Sequence, residues 1–172
     1  SWNGGGSRPA HPAALHKVQH QWVEVHRIDE GSGEAVEVLL APHEAGQTSI
    51  LRIDSRHYKP GQYLLLENRR RAGFDNALPG EGLLVWRVDE SGEQESPHGS
   101  GLLLVQADGR RDLERNLKSD AGDPFPGSTG KVSLDDTGSV STSFPGAMAS
   151  GIRLRDIHVR LDGSVTLTVM FK

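Results

Sequence analysis

Apolar and polar positions alternate with a period of two over most of this chain. Val23–Ile28, Glu34–Ala41 and Ser49–Asp54 follow that alternation, separated by Gly-Ser-Gly and His-Glu-Ala-Gly loops. Such runs predict half-buried antiparallel strands. Two stronger runs follow, Gln62–Asn68 and Gly82–Asp89, both dense in Leu, Val, Tyr or Trp. The first holds three consecutive leucines, Leu64–Leu66, so both of its faces are expected to be buried, as in a central strand. The loop between them contains Gly73, Asp75, Asn76, Pro79 and Gly80, residues that supply turn chemistry. Gly101–Ala107 is a further apolar run, reached through a loop at Ser91–Ser100. The chain closes with Ile152–Arg160 and Ser164–Phe171, a hairpin whose Asp162-Gly163 pair predicts a type I′ turn. The apolar phase of the first arm breaks near Asp156, which predicts a bulge there.

Only one stretch has helical spacing. Leu15, Val18 and Trp22 follow Pro12, which suits a first helical position, so a short helix is expected over Pro12–Gln21. Arg110–Asn116 suits a single helical turn, and Lys131–Thr142 a short edge strand. Ser119–Gly130 and Ser141–Gly151 read as irregular loops. The count is roughly eight strands with one short N-terminal helix: a mainly β, antiparallel β-sandwich.

Composition narrows the function classes. The chain has 172 residues, room for one domain of ordinary size. We divide it into residues 1–22, a Gly-rich lead plus the helix, and residues 23–172, the sandwich. A net charge of −4 argues against a nucleic-acid partner. No apolar run is long enough for a membrane span. Without cysteine there is no disulfide framework and no thiol chemistry. Ser1 in place of an initiator Met leads us to expect a processed fragment.

Four blocks follow in order between Tyr63 and Gly127: YLLLENRRRAGFD, LPGEGLLVWRVDE, GLLLVQADG and DAGDPFPG. Together they resemble the region downstream of the zinc-binding motif in the immune inhibitor A family of secreted bacterial zinc metallopeptidases. The resemblance implies a parent that hydrolyses peptide bonds in proteins, using a zinc-bound water and a glutamate base on an H-E-x-x-H helix. That motif is absent from this sequence. The chain is therefore expected to be inactive alone, with zinc confined to the missing catalytic domain. Residues 1–22 would be the end of that domain, its helix either packing on the sandwich or remaining mobile. The implied location is extracellular, and the implied partners are the parent's own catalytic domain and its protein substrates. The chain departs from the family pattern at Arg87, where relatives often carry His, and at Leu117-Lys118-Ser119 before Asp120. The alternative class is a stand-alone extracellular adhesion or glycan-binding sandwich, which a row of exposed aromatics would favour.

Among candidate sites, the acidic loop ranks first. Asp108, Asp112, Asp120 and Asp123 lie close in sequence, on a path bent by Gly109, Gly122, Pro124 and Pro126. Calcium takes six to eight oxygen ligands, which carboxylates and carbonyls of a stiff loop supply. Asp108, Asp120 and Asp123 are the expected calcium ligands. Asp-Gly and Asp-Pro pairs are also ordinary turn formers. His16 and His20 share a helix face, but Lys17 stands where H-E-x-x-H requires Glu. An exposed polar face is the simpler reading of this pair. Gly99-Ser100-Gly101 lacks the nucleophile-elbow frame. Glu67, Arg69, Trp86 and Asp89 are read as structural: Glu67 balances Arg69 or Arg71, Trp86 sits mid-strand, and Asp89 ends its strand. A carboxylate dyad of Glu67 and Asp89 is the competing reading.

Overall fold

The computed structural model describes residues 10–42, 49–92 and 101–172. The Gly-rich lead, the His43–Gly46 loop and most of the Ser91–Ser100 loop, with its Gly99-Ser100 pair, lie outside the described residues. Among those described, the elements in chain order are α1 (Ala14–Gln19), β1 (Glu24–Ile28), β2 (Ala35–Leu40), β3 (Ser49–Ile53), β4 (Gln62–Arg69), β5 (Gly82–Asp89), β6 (Leu102–Leu104), β7 (Ile152–Val159) and β8 (Val165–Phe171). The architecture is mainly β: a five-stranded sheet of order β1-β3-β4-β5-β6 and a three-stranded sheet of order β2-β8-β7. Every pairing is antiparallel except β1 with β3, which run parallel. That exception follows from connectivity. The intervening strand β2 leaves for the other sheet, so β3 returns beside β1 in the same direction.

The three leucines of β4 explain the layering. Leu64 and Leu66 join Leu51, Ile53, Leu83 and Val85 against Ile152, Leu154, Val165, Leu167 and Val169 of the second sheet. Leu65, one step out of phase, lies on the opposite face with Ile50, Tyr63 and Val88, under Ala14 and Leu15 of α1. Side chains alternate across a strand, so a run buried on both sides needs a cover on both sides. Here one cover is a sheet and the other is the helix. Burying each such leucine contributes about 1.5–3 kcal/mol. Packing on the sandwich is, of the two expectations for the helix, the one seen. Its Ala14, Leu15 and Lys17 are buried.

Two local details differ from the sequence expectation. The closing hairpin does not use a two-residue type I′ turn, which requires positive φ at both central positions. Only Gly163 takes one, at φ 82. Arg160 and Ser164 are bonded across a three-residue loop (Arg160 N to Ser164 O, 2.8 Å), and Gly163 N donates to Arg160 O at 2.9 Å. This is the three-residue connection with glycine in the left-handed position. The Gly101–Ala107 run forms a strand over only Leu102–Leu104, because its continuation pairs elsewhere: Ala107 N donates to Asp123 O at 2.9 Å. The bulge near Asp156 is present. The β7–β8 register shifts between Arg155 and His158, and Asp156 has φ 53. Among the described residues, no helix is long and apolar enough to cross a membrane.

Candidate functional site: an acidic corner and a neutral clamp

Two groups of charged residues flank β5. The first is the acidic corner. Leu83 of β5 exchanges backbone hydrogen bonds with Phe125 (2.8 and 2.9 Å), which ties the returning loop to the sheet. Gly82 permits that approach: a Cβ there would meet Phe125 O at 2.4 Å. Asp108 N donates to Gly122 O at 3.1 Å, bringing the two ends of the loop together. Each aspartate also accepts a backbone bond that sets its turn. Arg110 N donates to Asp108 Oδ1 (2.9 Å), Gly122 N to Asp120 Oδ1 (2.6 Å) and Asp120 N to Asp123 Oδ2 (2.9 Å).

The result places one carboxylate oxygen from each of Asp108, Asp120 and Asp123 within 4.8 Å of the others. Gly122 is the cradle. A Cβ at that position would press on Asp108 Oδ2 at 2.8 Å and Asp120 Oδ1 at 2.9 Å. Burial, followed by the charges of Asp120, Asp108 and Asp112, pushes the Asp123 carboxyl up to about 6 against the bond from Asp120 N. The local counter-charge is Arg110, whose Nη1 lies 3.2 Å from Asp120 Oδ2 and whose Nε lies 3.5 Å from Asp108 Oδ2. Asp112 turns away to pair with Arg115. Three converging hard oxygens, repelling one another, fit a calcium-type cation. A cation there would displace the exposed Arg110 side chain.

The second group is the clamp under α1. Glu67 is buried on the helix-facing side of β4 and is fully partnered. Lys17 Nζ donates to its Oε2 at 2.8 Å; Trp86 Nε1 and Ala14 N donate to Oε1 at 3.0 and 3.2 Å. Arg69 Nη1 lies 3.5 Å from Oε1. Arg69 grips Asp75 with two bonds, Nε to Oδ2 at 2.8 Å and Nη2 to Oδ1 at 2.7 Å. It also donates to the carbonyls of His11 and Pro12. Desolvation alone would lower the Arg69 pKa, but the charges of Glu67 and Asp75 hold it above its ordinary value. Lys17, Glu67, Arg69 and Asp75 are all buried, two charges of each sign.

The competing dyad does not form. Asp89 pairs opposite Gln62, five positions along β4 from Glu67 and on the other face, roughly 17 Å away along the strand. Asp89 accepts from Gln62 Nε2 at 2.7 Å and from Ser91; although burial raises its pKa, these bonds bring it below the ordinary value. Glu67 balances Arg69, and Lys17 as well; the Arg71 backbone instead bonds Glu81. His16 and His20 are exposed, and His20 stacks on Trp22. Among the described residues, the aspartate triad is the one group of three or more potential metal ligands, and nothing in it fits a zinc peptidase centre. Two participants escaped the sequence reading. Lys17 was noted only as standing where H-E-x-x-H requires Glu, and Asp75 only as turn chemistry. A lysine within the apolar stripe of a helix preceding a buried glutamate was the available signal. No protein-family model, curated protein or solved structure matches this chain.

Proposed function

We propose that this chain is a non-catalytic β-sandwich that supports the catalytic part of a secreted, immune inhibitor A-like zinc metallopeptidase, and that calcium at the acidic corner stiffens it. The clamp carries the reading. A supporting module has to hold the segment leading into it at a fixed angle, and Glu67 and Arg69 lock residues 11–17 onto the sheet with buried, directional bonds. Such bonds fix register more than they add net stability. Asp108, Asp120 and Asp123 would hold the cation, which would supply positive charge that Arg110 provides only in part.

Two observations test the assignment. An H-E-x-x-H motif is expected in the reading frame upstream of Ser1, and a frame without one would leave a free-standing module. The purified chain with added zinc is expected to leave casein uncut; robust zinc-dependent cleavage by the chain itself contradicts the supporting role.

A further inference from the structure

Leu83, Val85 and Arg87 occupy successive positions on the inter-sheet face of β5. The first two are core residues. The third is an arginine that is 8% exposed. Its Nη2 donates to Ser141 O at 2.6 Å, and its Nε is buried with no hydrogen-bond partner. Among the described residues no carboxylate forms an ion pair with it, in contrast to Lys17 and Arg69 on the other face. A buried guanidinium without a counter-ion carries a penalty of several kcal/mol. Burial pulls its pKa below the ordinary value accordingly.

Arg87 lies in the wall of a cavity of about 380 Å³ between β5–β6 and the segment 136–149. The other charges on that wall are already engaged. Arg111 Nε lies 3.3 Å from Glu114, which also accepts from Gln106. Asp136 has Arg153 and Lys172 at 3.8 Å each. Arg87 is the one charge on that wall without an ion-pair partner among the described residues. Val140, Phe144 and Pro145 give the same cavity an apolar side.

We propose that this cavity binds a small monocarboxylate with an apolar body, and that Arg87 is its counter-charge. The guanidinium fork matches a carboxylate. A single uncompensated charge, with Glu114 and Asp136 nearby, selects a monoanion over a dianion. The apolar wall selects a hydrocarbon group over a free inorganic ion. This inference is independent of the calcium reading, since none of the three aspartates lines the cavity.

The test is calorimetric titration of the full chain at low ionic strength, with sodium benzoate as the probe and inorganic phosphate as the second arm. Benzoate is expected to saturate at one per chain, and more tightly than phosphate. Arg87→Met is expected to weaken benzoate at least about tenfold and, by removing an unpaired buried charge, to raise the melting temperature of the unliganded chain. If that variant fails to fold, Ser139→Asp adds a negative charge at an exposed position on the cavity wall and is expected to weaken benzoate about fivefold. The proposal is overturned by no saturable benzoate binding up to about 10 mM. It is equally overturned by phosphate binding the tighter, by a lowered melting temperature in Arg87→Met, or by affinity that Ser139→Asp leaves unchanged.

Discussion

The clamp and the acidic corner hold their carboxylates in opposite ways. In the clamp, Glu67 and Asp75 face Lys17 and Arg69, and every charge is met within the fold. In the corner, Asp108, Asp120 and Asp123 face one another, with the exposed Arg110 as partial relief. The clamp is complete as it stands. The corner becomes electrostatically complete only with a positive charge from outside. The difference separates a charge cluster neutralised within the fold from one left net acidic.

Breaking the clamp should produce the largest effect. Glu67→Ala strands Lys17 in an apolar setting and orphans Trp86 Nε1 and Ala14 N. We expect a loss of about 3–5 kcal/mol in urea unfolding. A loss under 1 kcal/mol would mean that the helix docks without the clamp. Calcium comes next: at 100 times its dissociation constant it should add about 2.7 kcal/mol to stability, read as a higher melting temperature than in chelator.

Asp123→Asn should act in the opposite sense to the clamp mutation. The Asp123 carboxyl is raised from 3.8 to about 6 in the folded chain, so its ionisation opposes folding. Wild-type stability contributed by this group is highest below pH 3.8 and falls as pH rises through about 6. Without calcium at pH 7, the variant should therefore be more stable than wild type by about 1–2 kcal/mol, after allowance for solvent screening. The advantage should shrink as pH falls toward 4. Paired unfolding curves across that range check it, and an advantage that grows on acidification contradicts it. The smallest effect should come from His16→Ala and His20→Ala, exposed side chains that should change stability by no more than about 0.5 kcal/mol.

The β4–β5 hairpin was legible because its apolar runs are long, uninterrupted and bounded by turn residues. The acid triad was legible because aspartates and glycines interleave at short range, where a stiff loop has few ways to separate them. Long-range charge pairing was not legible. Glu67 announced that it needed a partner, but the main one lies 50 positions earlier, on a helix whose docking depends on that very contact. Arg87 was read as a departure from a family pattern and not as a core position, although its phase with Leu83 and Val85 already placed it between the sheets. The closing turn was misread for a local reason. Asp162-Gly163 suits two turn types, and the pairing of Arg160 with Ser164 selects the longer one.

The most direct test compares melting temperatures of wild type and Asp123→Asn at pH 7, each in chelator and in millimolar calcium. The account predicts that calcium raises the wild-type value by several degrees and leaves the variant nearly unmoved. Equal shifts in both proteins, or none in the wild type, would contradict it.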